Sequence, residues 1–410
     1  MPLKVLHVIP AVASRYGGPS VATVGLCRAL RAADVSTLVA TTDADGPSRL
    51  DQPLGREVTW EQVPAIFFPR VGSESFKWSP TLASWLEAHA AQFDVVHVHA
   101  VLSHVCVAAA RASRAANVPY LMRPLGTLDP WSLRQHALRK RVLMTLGASS
   151  ALRHAAGMHY TSREEQRLAE QSVPGLPTGY VVPLGVADDL FVGPDHPEAD
   201  GAGADAEQPY VLTLSRVDAK KGIDVLIRAW HVLARSGRLG PWSLRIAGDG
   251  DPAYVAEMHA LADAGPGADR ISFTGWVEGS DRRTLLRGAG LFALPSHQEN
   301  FGFALAEAMA SGVAVIVSPG VNLAADIAAA DAGWIADRDG FDGVLAEALA
   351  RPAMCRVRGR HARVYAEAFR WPSVAKEMAR IYADLAAKRA DIPPIGAAAT
   401  LRGTGTGVCS

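Results

Sequence analysis

Along most of the chain, short apolar runs alternate with stretches whose apolar residues recur at helical spacing. "KVLHVI" is the first run; the loop-and-helix pattern "GGPSVATVGLCRALRAA" and a second run, "STLVATT", follow it. "FDVVHVHA", "VPYLMRP", "GMHYTS" and "GYVVPLGV" continue the series. Such alternation predicts a parallel sheet covered by helices on both faces. Residues 192–209, "VGPDHPEADGAGADAEQP", lose all apolar periodicity and are dominated by Gly, Pro and Asp. The alternation then restarts with "YVLTLSR", "WSLRIAGDG", "ISFTGWV", "GLFALPS" and "VAVIVSP". The expected fold class is α/β, with two Rossmann-like βαβ domains facing across a cleft. The expected boundaries are 1–190 for the first domain, 191–209 for a linker and 210–370 for the second. A final amphipathic helix over 371–389 is free to pack back on the first domain, and the Ala/Gly/Thr-rich tail 390–410 is expected to be disordered.

Composition narrows the class. The 410 residues are 49% apolar and 20% charged, as in a globular protein of about two or three domains. Lys plus Arg equals Asp plus Glu at 41 each, so nucleic acid is not expected as a partner. Cys27, Cys106, Cys355 and Cys409 lack pairing or metal-ligand spacing and fit free thiols in a reducing compartment. The N-terminal apolar run is too short for a signal peptide, and no stretch approaches the ~18 apolar residues of a spanning helix. A cytoplasmic protein, at most peripheral to a membrane, is expected.

In open α/β sheets, ligands bind beyond the carboxyl ends of strands. "SHQENFGFALAEAMASGVAVIVSP" lies at such a position, with a helix expected from Phe301 or Gly302 to Gly312. Glu299 falls in the loop before that helix, and Glu307 falls ~7.5 Å along its axis. The helix is otherwise nearly all apolar, so a carboxylate within it needs a partner. Unpaired amides at a helix N-terminus form an anion site, and Gly302 lets a ligand approach the backbone. A diphosphate there would be flanked by two carboxylates suited to hydroxyls. Cations follow the strand "YVLTLS" in "RVDAKKG": Arg216 offers a planar fork and Lys221 a point charge.

"SRVDAKKG", "FTGWV" and "ENFGFALAEAMASGVAVI" together resemble the glycosyl transferase group 1 domain of the retaining glycosyltransferases of family 4, which have the GT-B fold. The resemblance extends over about 4–388, with Glu299 and Glu307 matching the family's paired glutamates. Ser215 stands where the family usually has Gly, and "GVAVI" replaces "GLPVI". "RPLGTLDPW" and "VNLAADI" resemble members that build envelope polysaccharides. The resemblance implies that Arg216 and Lys221 neutralise the leaving diphosphate of a UDP- or GDP-sugar. It implies that Glu307 binds the ribose, and that Glu299 contacts the donor sugar, aided by the amides of Asn300, Phe301 and Gly302. Trp276 and Val277 would hold the base, and Gly17 and Gly18 would form a tight loop under the diphosphate. His99 would contact the donor sugar, while His97 reads as a core histidine. The implied activity is a metal-independent hexosyl transfer with retention and no cofactor, through front-face attack by an acceptor hydroxyl.

Arg123, Gly126 and Asp129 follow another strand and are candidates for lining the pocket of a sugar or lipid-linked sugar acceptor. Asp129-Pro130 also fits the start of a helix. Asp43-x-Asp45 resembles a metal motif of a different transferase fold and is rejected as a metal site, because Arg216 and Lys221 supply the charge. No Asp or Glu occurs between Pro130 and Arg163, where basic residues alternate with Leu, Val and Met. That region fits either a solvated helix face or docking of 131–163 to an anionic inner leaflet. Two rivals share the architecture: a nucleotide-sugar 2-epimerase and a non-catalytic sugar-nucleotide-binding subunit. A dehydrogenase is disfavoured, because "GDGDPAY" lacks the third glycine of a dinucleotide loop.

Overall fold

The computed structural model describes residues 2–74, 76–191 and 208–390. Most of the expected linker (192–207) and the expected disordered tail (391–410) lie outside the described residues.

The N-terminal half is built on an eight-stranded sheet. Its elements are β1 (Lys4–Val8), α1 (Gly18–Ala32), β2 (Ser36–Thr42), β3 (Glu57–Trp60), β4 (Val63–Phe68), β5 (Val95–His99), β6 (Tyr120–Arg123), α2 (Ala137–Leu143), β7 (Gly157–Tyr160) and β8 (Gly179–Val181). The strand order is β8-β7-β6-β5-β1-β2-β4-β3, parallel except for the edge strand β3. Val5, Leu6 and Val8 of β1 and every residue of β5 are buried, as central parallel strands covered on both faces require. The β3–β4 hairpin has no glycine signal in the sequence. Its turn residues, Glu61 and Gln62, both take positive φ (44° and 68°), a conformation that Asn-Gly pairs usually announce.

The C-terminal half carries β9 (Tyr210–Leu214), β10 (Ser243–Ala247), β11 (Ile271–Gly275), α3 (Gly279–Gly288), β12 (Leu291–Leu294), α4 (Phe303–Ala310), β13 (Val315–Val317) and β14 (Gly333–Ile335). Its six strands are parallel in the order β11-β10-β9-β12-β13-β14. The order reverses between β9 and β12, which opens a crevice at their carboxyl ends.

The last helix, α5 (Trp371–Ala390), lies against α1 and the N-terminal sheet. Val374, Met378, Ile381 and Leu385 pack with Leu26, Leu30, Val5 and Val95. At the crossing between halves, the Val186 amide donates to the Phe369 carbonyl at 2.8 Å. Trp371 is wedged there: a Cβ at Gly25 or Gly185 would lie 2.3 or 2.2 Å from its indole.

Candidate active site

The crevice between β9 and β12 gathers the donor-side candidates. β9 delivers Arg216 and, after a turn capped by Asp218, Lys221. The loop after β12 delivers Glu299, whose amide donates to Gly320 and whose carbonyl accepts from Asn322, both at 2.9 Å. Lys221 Nζ donates to Glu299 Oε2, with both side chains largely buried. Gly302 caps α4 with φ 75°, a value that a side chain would strain. The Phe301 and Gly302 amides bond to no group among the described residues and open the N-terminus of α4. Arg216 is exposed and unpaired among the described residues, free to swing toward an anion there.

Glu307 sits one turn into α4, where burial raises its carboxyl pKa and Arg282 of α3 opposes that rise. Arg282 Nε donates to Glu307 Oε2 at 3.1 Å, and the second guanidinium nitrogen donates to the same oxygen. Arg282 was not anticipated, because "EGSDRRTLL" reads as a solvated polar helix. Trp276 and Val277 precede that helix; Trp276 is exposed and donates from Nε1 to Glu278, and Val277 packs on the core.

Three contacts tie the halves together. A Cβ on Gly18 would lie 2.8 Å from the Phe303 ring, so the Gly17–Gly18 loop sits directly on the start of α4. Asn300 Nδ2 donates to Thr161 Oγ1 at 3.2 Å, and Asn300 Oδ1 accepts from Asn322 at the same distance. Lys220 lies 4.9 Å from the centre of the Trp131 ring. Thr161, Asn322 and Lys220 were likewise not anticipated; each follows a strand, which is the signal they carry.

On the N-terminal side, several candidates sit elsewhere than expected. His99 is fully buried, with Nε2 3.0 Å from His7 Nδ1. Arg123 is 1% exposed, at the inner end of β6. Asp129 does not face the cleft freely: its Oδ1 caps a short helix, accepting from the Trp131 amide at 2.7 Å. Gly126, at φ 70°, donates its amide to Glu165 and leaves a gap that a Cβ would close to 2.9 Å from Asn300 Oδ1. Asp43 and Asp45 pair with Arg49 and Arg15.

His7, His97, His99 and His159 share one interior face with Arg123, beneath Tyr382 of α5. The Val182 carbonyl can only accept, so His159 Nε2 donates to it at 2.9 Å. His159 Nδ1 then accepts from His97 Nε2 at 3.3 Å, and His97 Nδ1 accepts the Tyr382 hydroxyl at 2.6 Å. This directional chain requires neutral rings. Burial, then the Arg123 charge, lowers His7 and His159 to about 3. Burial also holds His97 and His99 well below the ordinary value. Ring nitrogens of His7, His97 and His99 lie within 4.8 Å of one another, close enough to hold a metal ion in principle. Both nitrogens of His97 are already engaged, however, and the Arg123 cation disfavours a second positive charge.

Residues 17–185 match the glycosyl transferase 4-like domain and residues 197–361 match glycosyl transferases group 1. The D-inositol 3-phosphate glycosyltransferase of Xylanimonas cellulosilytica is 29% identical over 400 residues, covering 91% of this chain and 93% of that one. Sucrose-phosphate synthase from Thermosynechococcus elongatus superposes with a TM-score of 0.74 at 21% identity, over 94% of this chain and all of that one. HepE from Anabaena, solved with UDP-glucose, gives 0.71 at 20% identity, over 93% of this chain and 100% of that one. With one domain type matched on each side of the cleft, the chain belongs to the GT-B glycosyltransferases that carry a glycosyl transferases group 1 domain.

Proposed function

We propose that the protein transfers a hexosyl unit from a UDP- or GDP-sugar to an acceptor hydroxyl with retention, in the synthesis of an envelope polysaccharide or glycolipid. One observation carries this: the Lys221–Glu299 pair lies at the switch point of the C-terminal sheet, beside the unbonded amides that open α4. The UDP-glucose of the HepE structure supports a UDP-sugar. The diphosphate would occupy the start of α4, with Lys221 and Arg216 meeting the charge that grows on it. Glu299 would hold donor-sugar hydroxyls, Glu307 the ribose, and the Trp276–Val277 loop the base. The Gly17–Gly18 loop would close over the diphosphate.

The anomeric carbon–oxygen bond breaks with its electron pair passing to the diphosphate. The acceptor oxygen adds from the same face, and its proton moves to the departing phosphate oxygen. Lys221, Arg216 and the helix amides provide the positive charge, so EDTA should leave turnover intact. Activity abolished by EDTA and restored by Mn²⁺ would refute metal independence. The decisive experiment is NMR of the product from a UDP- or GDP-sugar donor. Retained anomeric configuration is expected; an inverted linkage, or an epimerised donor formed without acceptor, would refute the assignment.

A peripheral membrane location has its own support. No helix of the described residues is long and apolar enough to cross a membrane. Leu138 and Val142 of α2 and Leu146 of the π-helical turn after it (Met144–Ala148) are spaced four apart and are 78%, 48% and 67% exposed. Arg139 and Arg141 flank that stripe, and no acidic residue lies between Pro130 and Arg163. Lys140 instead turns inward and donates to the Ser132 carbonyl. We assign this face to the anionic inner leaflet, where a lipid-linked acceptor would be presented.

A further inference from the structure

Orphaned polar atoms concentrate at one place in the N-terminal half. Among the described residues, Nε and both terminal nitrogens of Arg123 have no hydrogen-bond partner, and neither does His99 Nδ1 or His7 Nε2. His99 and Arg123 are registered neighbours on β5 and β6, and His7 stacks on His99 with ring centres 5.3 Å apart. A buried guanidinium without acceptors carries a large desolvation cost, and burial lowers the Arg123 pKa accordingly. Glu165 favours the Arg123 charge through space but makes no hydrogen bond to it. Glu165 is committed to the Gly126 amide at 2.8 Å and to the Thr161 amide and hydroxyl at 2.7 Å each.

The surrounding backbone is unusual as well. Ala100, directly after β5, has φ 90°, and Leu125, two residues after β6, has φ 56°. Non-glycine residues in this region are strained, and both lie where the chain leaves the strands around Arg123. The rim above consists of Gly126 and Thr161, and Asn300 of the opposite half closes it by contacting both.

We propose that Arg123, with the one outer nitrogen of the His7–His99 pair that carries a proton, forms an internal site for an anionic group, a phosphate or a carboxylate, carried by the acceptor. The acceptor role rests on the glycosyl-transfer reading above; the anion site itself does not. The planar fork of Arg123 suits two oxygens of such a group. Because the neutral His7 and His99 rings share one hydrogen bond, one of their two outer nitrogens carries an N–H that can meet a further oxygen. The group enters while the halves are apart, and Asn300 seals the rim as they close. An acceptor lacking the charge would leave the guanidinium unpaired, so the site selects against it.

The test is thermal unfolding of the full chain with inorganic phosphate up to about 30 mM, in saturating UDP so that the donor diphosphate position is occupied. Wild-type Tm should rise with phosphate. Arg123→Met should lose that rise, keep its response to UDP and, without phosphate, melt no lower than wild type, since an unpaired buried charge has gone. Arg123→Lys should retain a response about tenfold weaker in phosphate affinity. A wild-type Tm indifferent to phosphate, a rise abolished by UDP, or an equal rise in Arg123→Met would overturn the proposal. If Arg123→Met fails to fold, the wild-type titration and Arg123→Lys decide alone. Loss of the UDP response in wild type, with the phosphate response intact, would count against the donor assignment instead. Glucose 6-phosphate and glucose separate the two sources of the anion. Stronger stabilisation by the sugar phosphate than by phosphate, with none by glucose, places the group on the acceptor; a response to phosphate alone marks a free anion.

Discussion

On the C-terminal side of the cleft, Lys221 faces Glu299 and Arg282 faces Glu307, so each of these charges meets its opposite within one domain. On the N-terminal side, Arg123 lies among neutral histidines, with none of its side-chain nitrogens bonded to another of the described residues. The C-terminal half holds these four charges pre-paired in a crevice. The N-terminal half buries a cation that bonds to no group among the described residues. Paired charges hold geometry before a ligand arrives, whereas an unpaired one makes binding itself the stabilising event.

Several measurements would break or sharpen that contrast. The largest effect is expected from Lys221→Ala, which should lower kcat by about 10²–10³, or about 3–4 kcal/mol, with donor KM little changed. A rise in KM with kcat untouched would mean that Lys221 only binds the ground state.

Acid should act next, and on the N-terminal half. His7 and His159 have folded pKa values of about 3, against an ordinary 6.5. The unfolded chain therefore binds more protons below pH 6.5, and stability is fully present above that pH and lost as pH falls toward 3. If two such groups stay neutral, the loss is about 2.7 kcal/mol per pH unit. Urea unfolding between pH 7.5 and 5 reads the slope, and hydrogen exchange should place the early opening in β5 and β7. Opening first in β9 and β12 would contradict this picture.

Arg282→Ala should leave Glu307 buried without its counter-charge and push that carboxyl further up. UDP binding by calorimetry should weaken by about tenfold, or 1.4 kcal/mol. Unchanged affinity would separate the Arg282–Glu307 pair from the nucleotide. The smallest effect concerns α2. Removing Arg139 and Arg141 as serines should cost about 1 kcal/mol each in binding to anionic vesicles at low salt. Lys140→Ser should alter sedimentation less, because its ammonium is bonded inward. Equal binding by wild type and the double variant would exclude this face.

What could be read from the sequence follows from how local each cause is. Strand alternation and the start of α4 at Gly302 depend on neighbours in the chain, whereas the basic loop and Glu299, 78 residues apart, meet because each follows one of two adjacent parallel strands. The β3–β4 hairpin escaped notice because Glu61 and Gln62 adopt a turn that their types do not advertise. Arg282 escaped notice because only the folded contact with Glu307 distinguishes it from other arginines of a polar helix. His99 and Arg123 stand at strand ends, as expected of ligand contacts. Their depth, however, is set by α5, whose Tyr382 reaches the same face from 285 residues beyond His97.

The crossing at Val186 and Phe369 has a further consequence. Because α5 returns to the sheet on which the chain began, the C-terminal half is an insertion within a single host domain, leaving and re-joining it beside a 2.8 Å hydrogen bond. Such a junction suits exchange as a cassette. A different C-terminal half spliced between these two residues would leave the order of the host strands and α5 intact, provided that it keeps the core into which Val186 and Phe369 pack.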